Sequence, residues 1–210
     1  MNLLELKKQA GIDDNPDQEG LDLFAELIVK DKLVFDTTRL INTYTLENAD
    51  AVNAALIDLI RAQGDRQGRK TNIKADMTEW LLPIDHHAAP YNQFFDLLRV
   101  GVVDSITKLL KPIDYSRQPP YSYSINSLWG AIYHTGDYAN PHNHFASAFS
   151  FCYYLKMNDP PTPLQFKSID HSITPTEGML IIFPGWIDHG VPECMTTDER
   201  IVLAGNIEIH

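Results

Sequence analysis

The sequence predicts a β-sandwich or barrel buttressed on one face by helices, formed as one domain. Three observations predict it. The first half of the chain carries apolar residues at helical spacing, and beyond about residue 115 it breaks into short β-type runs between turn signals. Its 210 residues suffice for one domain with a substantial core.

Residues 45–63 place Val52, Leu56, Leu59 and Ile60 on one face, with Thr45 or Asn48 available as a cap and Gly64 as a stop. Residues 91–111 repeat the pattern with Phe94, Phe95, Leu98, Val102, Ile106 and Leu109, ending before Pro112. Both stripes read as faces packed on a sheet. The β-type runs are YSYSINSLWGAIY, ASAFSFCYYLKM, PLQFKSI, GMLIIFP and RIVLAGNIEI. TGDYANP, NDPPTP, TPTEG and the segment Pro192 to Glu199 separate them. A single domain over 1–210 is expected, with helical support over about 1–115 and a β core over about 116–210.

The chain is 44% hydrophobic and 21% charged, and no apolar run approaches the roughly 18 residues a membrane helix needs. The N-terminus MNLLELKKQAGIDD lacks the features of a secretory signal, so a cytoplasmic, membrane-free protein is expected. A net charge of −11 argues against general nucleic-acid binding. Two cysteines, Cys152 and Cys194, outside any CxxC pattern, indicate no disulfide framework and read as ordinary thiols.

Of eight histidines, His142 and His144 stand two apart in PHNHF, a spacing that puts two imidazoles on one face of an extended strand. His189 follows the apolar run GMLIIF and precedes a turn, where strand pairing can bring it to the other two. Imidazole suits iron, zinc, copper and nickel, so the ligands alone do not choose the metal. His86, His87, His134, His171 and His210 lack such a setting. Asp188 faces away from its neighbour His189 on a strand, whereas Asp137 is a loop carboxylate within reach of a metal.

The stretch YHTGDYANPHNH, Tyr133 to His144, resembles the segment with the first metal ligands in prolyl-hydroxylase-like iron(II)/2-oxoglutarate oxygenases. SFCYYL resembles the following strand, EGMLIIFPGWIDHGV the segment of the distal histidine, and RIVLAGN the strand whose arginine holds 2-oxoglutarate. Arg200 lies eleven positions after His189, in keeping with that order. The four motifs together resemble the 2OG-Fe(II) oxygenase family of bacterial and phage proteins, closely over about 120–207 and more loosely before it. The resemblance implies a jelly roll (double-stranded β-helix) with N-terminal supporting helices, in a host cytoplasm if the gene is a phage's.

It also implies an Fe(II)/2-oxoglutarate-dependent dioxygenase that uses O₂ to hydroxylate an organic substrate, a small molecule or a peptide, and converts 2-oxoglutarate to succinate. His142, His144 and His189 would hold the iron, and Arg200 would clasp the far carboxylate of 2-oxoglutarate as a two-pronged donor. Tyr154 would donate to the same carboxylate and Tyr133 would bond nearer the metal, while Phe149, Leu180 and Ile182 would keep the site dry. Two positions depart from the wider superfamily. His144 replaces a carboxylate, which leaves the centre one charge more positive, and Val202 stands where many relatives carry a hydroxyl. Trp129 and Trp186 read as core or rim aromatics, and Asn126 and Asn206 as strand ties or pocket residues without an assigned role. Two other readings stay open: a three-histidine, cupin-like oxygenase without 2-oxoglutarate, and a non-catalytic metal-binding β-sandwich. The oligomeric state, a homodimer included, is not encoded in any motif.

Overall fold

The computed structural model describes residues 37–110 and 122–210; the sequence reading of 1–36 and 111–115 as helical support, and of 116–121 as the start of the β core, lies outside the described residues. After a 3₁₀ turn at Thr37–Leu40 come strand β1 (Asn42–Thr45), helix α1 (Asp50–Gln63), the two-residue strands β2 (Ile73–Lys74) and β3 (Asp76–Met77), and helix α2 (Tyr91–Leu110). The β-rich half follows as β4 (Tyr123–Tyr133), β5 (Tyr138–His142), β6 (Phe149–Lys156), β7 (Leu164–Phe166), β8 (His171–Ile173), β9 (Met179–Pro184), β10 (His189–Val191) and β11 (Arg200–Ile209). The molecule is mainly β. The six-stranded sheet runs β1-β9-β6-β11-β4-β3 and the five-stranded sheet β2-β5-β10-β7-β8, with antiparallel neighbours throughout.

Helix α1 starts five residues later than its periodicity suggests. Asn42 to Thr45 are claimed by the sheet, where Asn42 pairs with Ile182 and Thr45 with Met179. Ala49 therefore stands at the N-terminal boundary without a side-chain cap. At the other end Gly64 takes φ +66° with ψ −174°, a conformation open essentially to glycine alone, and its N–H reaches back to the Ile60 and Arg61 carbonyls.

Strict alternation divides the central strands between two cores. Phe149, Phe151, Tyr153, Leu180, Ile182, Ile201 and Leu203 face the helices, where they meet Val52, Leu56 and Ile60 of α1 and Phe94, Leu98 and Val102 of α2. Cys152, Tyr154, Ile181, Phe183 and Val202 face the second sheet and meet Ala139, Leu164, Phe166 and Val191. At about 1.5–3 kcal/mol for each fully buried large apolar side chain, these two layers dominate the stability. Strands β6 and β9 are apolar on both faces because both are covered, so their sequence runs show little polar alternation.

Asn53 fixes the helical layer to the sheet: its Nδ2 donates to the Leu155 carbonyl (3.1 Å) and its Oδ1 accepts from the Tyr153 hydroxyl (2.8 Å). Tyr44 of β1 donates to Asp104 of α2 (2.7 Å). Among the described residues no helix is long and apolar enough to cross a membrane.

Candidate metal and anion site

The five-stranded sheet sets His142 directly opposite His189, as Cα partners on β5 and β10. His144 lies just past the end of β5, so its position does not come from strand alternation. Its backbone N–H donates to the Gly185 carbonyl (2.7 Å), and the Ser147 N–H turns back to the His144 carbonyl (2.9 Å). This loop lies so close to Gly185 that a Cβ there would collide with the Ser147 carbonyl. Glycine at 185 therefore permits the approach that delivers His144.

The three ring centroids stand 4.5 to 5.2 Å apart, and one potential ligand atom from each ring lies within 4.8 Å of the others. Among the described residues this is the group of histidine, cysteine or carboxylate side chains with metal-binding spacing. The Nδ1 atoms of His142 and His189 lie 2.7 Å from the Asn140 carbonyl and 3.1 Å from the Ile187 carbonyl. A carbonyl only accepts, so each Nδ1 carries the hydrogen and each Nε2 keeps its lone pair. Burial, followed by the proximity of His142, lowers the pKa of His144 to about 4 and of His189 to about 3; burial lowers that of His142 too. All three imidazoles are therefore neutral near pH 7, the state a metal ion needs.

Arg200, 1% exposed, lines the same cavity. It opens β11 opposite Tyr133, with its guanidinium carbon 4.7 Å from the Tyr133 ring centre and 5.2 Å from that of Tyr154. Its Nε and Nη1 have no hydrogen-bond partner among the described residues, and neither has the Tyr154 hydroxyl. Burial pushes the Tyr133 pKa up to about 12 and holds Tyr154 well above the usual phenol range; it also raises the Cys152 thiol. These neighbours are thus neutral and supply no counter-charge. The effective penalty for burying an ion is several kcal/mol, and each desolvated cation–π contact returns about 2 kcal/mol. An anionic ligand would supply what the protein leaves unmet.

The six side chains singled out in the sequence are thus drawn into one region: three at a metal-spaced cluster, Arg200 and Tyr133 on the cavity wall, and Tyr154 packed against Arg200 rather than lining the wall. The expected apolar shield is corrected. Phe149, Leu180 and Ile182 face the helices, because strand parity sends them to the opposite side of the sheet. Phe183, Leu164, Val202 and Ile73 line the cavity in their place. Asp137 is no ligand either: it is buried, paired with the Arg69 guanidinium, and accepts from the His134 N–H (2.8 Å). Asp188 accepts from Asn143 (2.7 Å).

Sequence reasoning read Trp129 only as a core or rim aromatic, yet its ring centre lies 5.8 Å from that of His144 and its buried Nε1 has no partner among the described residues. Parity could have found it. Trp129, Ala131 and Tyr133 alternate on β4 opposite Ala204, Val202 and Arg200 on β11, so a site containing Tyr133 and Arg200 has Trp129 on the same face.

No family model and no curated protein matches the sequence. The fold does have solved counterparts. It is similar to the viral collagen prolyl hydroxylase of Paramecium bursaria Chlorella virus-1 in its 2OG complex, with 15% identity and a TM-score of 0.56 over 80% of this chain and 95% of that one. A Pseudomonas putida prolyl-4-hydroxylase has 18% identity and a TM-score of 0.54 over 80% of this chain and 91% of the other. At such identities the likeness establishes a shared fold.

Proposed function

We propose that the chain is an iron(II)- and 2-oxoglutarate-dependent oxygenase built on a jelly roll, with iron held by His142, His144 and His189. The observation that carries this is the pairing of two incomplete sites in one cavity. One end offers three neutral imidazoles, and the other offers a buried guanidinium with two unbonded nitrogens. A dicarboxylate whose other end chelates a metal fits both ends at once. The solved counterparts include a prolyl hydroxylase in complex with 2OG, which supports the choice of dicarboxylate.

The bound iron and 2-oxoglutarate would supply activation of O₂ and oxidation of a substrate C–H bond, with succinate as coproduct. The protein's residues bind, orient and exclude water. Arg200 presents its planar fork to the distal carboxylate, and charge-assisted bonds of this kind contribute about 1.5–3 kcal/mol each. The Tyr154 hydroxyl, kept protonated by burial, is a donor to the same carboxylate. Phe183, Leu164 and Val202 keep the cavity apolar between the two ends. The exposed Phe145 and Trp186, at 84% and 48%, respectively follow His144 and precede His189 closely in sequence and are candidate contacts for an organic substrate, small molecule or peptide.

A three-histidine oxygenase without 2-oxoglutarate accounts for the imidazoles but leaves Arg200 without a role. A structural metal site would be closed by a fourth protein ligand, and the described cluster has three. The test is succinate formation from 2-oxoglutarate in the presence of Fe(II) and O₂. Wild type should form succinate slowly even without added substrate, and His189→Ala should form none. Tight iron binding without any binding of 2-oxoglutarate would reject the proposal.

A further inference from the structure

We propose that Asn206 is the positioning residue that decides which ring nitrogen of His144 is free for a metal ion, acting through the orientation of its side-chain amide. The proposal rests on the three-histidine centre proposed above. His142 and His189 are each oriented by a backbone carbonyl, which fixes the hydrogen on Nδ1. His144 instead has a side chain beside its Nδ1, with Asn206 Nδ2 at 3.5 Å. An amide nitrogen offers only hydrogens. In this orientation Nδ1 of His144 is the acceptor and its Nε2 carries the hydrogen, so Nε2 has no lone pair for a metal.

Turning the amide by half a revolution exchanges its oxygen and nitrogen. Of the two serines that hold Asn206, Ser127 does not oppose this, whereas the buried Ser150 hydroxyl gives up the acceptor of its hydrogen, a cost that metal binding has to offset. Ser150 Oγ donates to Oδ1 (2.8 Å) and Ser127 Oγ accepts from Nδ2 (2.9 Å), yet every hydroxyl can both donate and accept. After the turn Ser127 donates to the amide oxygen, giving up only a 3.4 Å bond to Asn126, and Ser150 accepts from the amide nitrogen. The same amide oxygen then accepts Nδ1–H of His144, which frees Nε2.

Ser150 favours the present orientation and a metal-bound His144 favours the turned one, so metal binding and the turned amide favour each other reciprocally. Position supports the assignment. Asn206 pairs with both Ser127 on β4 and Ser150 on β6, so its Cα is fixed from two sides and turning the amide needs no backbone movement.

Asn206→Asp and Asn206→Leu separate this role from simple packing. A carboxylate only accepts, so aspartate enforces Nδ1–H on His144; leucine does neither. Co(II) is titrated into the metal-free proteins and followed by its visible absorption. The His144 tautomer is read from ring ¹⁵N shifts with and without Zn(II). Asn206→Leu should weaken Co(II) binding about 10–100-fold, while Asn206→Asp binds at least as tightly as wild type. In wild type the His144 hydrogen should move from Nε2 to Nδ1 when Zn(II) binds. Should leucine disturb folding, as judged by urea unfolding, Asn206→Ala takes its place.

Equal Co(II) affinity in wild type and the apolar variants, or a His144 hydrogen already on Nδ1 in metal-free wild type, would overturn the proposal. Wild type that binds no Co(II) would overturn it together with the metal centre. Co(II) binding without 2-oxoglutarate binding would reject only the cosubstrate reading, and the comparison of variants would still decide the role of Asn206.

Discussion

Arg200 is buried to 1% exposure with two nitrogens unbonded, so in the ligand-free protein it is a source of instability retained at the end of a cavity. Replacing such a buried, unpaired ion by an apolar side chain of similar length removes a desolvation penalty of several kcal/mol. Arg200→Met should accordingly raise the melting temperature of the ligand-free protein. It should also abolish the further rise that 2-oxoglutarate with Mn(II) gives wild type. A fall in ligand-free stability would mean that Arg200 is a structural residue. At this scale the sequence was informative about the residues that carry charge or lone pairs, because HxH, a distal histidine and an arginine occur in a fixed order. It offered Asn206 as a strand tie or pocket residue and Trp129 as a core or rim aromatic, and placed neither beside His144. Their roles follow from the pairing of Asn206 with Ser127 and Ser150, and of Trp129 with Ala204, a register that no single strand encodes.

Two connections between elements deliver the site, and each has a testable cost. Gly185 admits the loop that carries His144, and Gly185→Ala would drive a methyl group into the Ser147 carbonyl. Overpacking of this kind costs about 1–3 kcal/mol, so a lower melting temperature and weaker Co(II) binding are expected together. Unchanged metal affinity would show that His144 does not depend on this contact. Asn53 joins α1 to β6, and Asn53→Ala would leave the Leu155 carbonyl and the Tyr153 hydroxyl without their partner. At about 1–3 kcal/mol for each buried group left unsatisfied, urea unfolding should shift by more than for Tyr153→Phe. The helical stripes were legible from spacing, as Val52, Leu56 and Ile60 show. The strands before residue 80 were not: β1 spans four residues and β2 and β3 two each, lengths at which periodicity carries no signal.

Over the whole molecule, the division into a helix-backed six-stranded sheet and a five-stranded partner was legible as a class, from short strands after helices. The pairing order was not, because neighbours such as β11 and β4 are far apart in sequence. Global stability should have an acid limb with two sources: the buried neutral imidazoles of His142, His144 and His189, which take up protons when the ligand-free chain unfolds, and paired carboxylates. Lys108 first, then Tyr44, hold the Asp104 carboxyl below its usual range; Glu199 is also lowered, where burial opposes and the bonds to Lys156 and Arg61 prevail. A depressed folded-state pKa means that the unfolded chain binds more protons, so this stability is present above the ordinary carboxylate range and lost as pH falls below about 4. Asp104→Asn should flatten the fall in urea midpoint between pH 5 and pH 3, whereas an unchanged slope would assign the acid limb to other groups. The central claim, one cavity holding a metal at one end and a carboxylate at the other, is tested most directly by adding Fe(II) and then 2-oxoglutarate to metal-free protein without oxygen. A visible charge-transfer band should develop in wild type, vanish in His189→Ala, and require far more 2-oxoglutarate in Arg200→Ala. Bound iron that gives no band at any 2-oxoglutarate concentration would contradict the account.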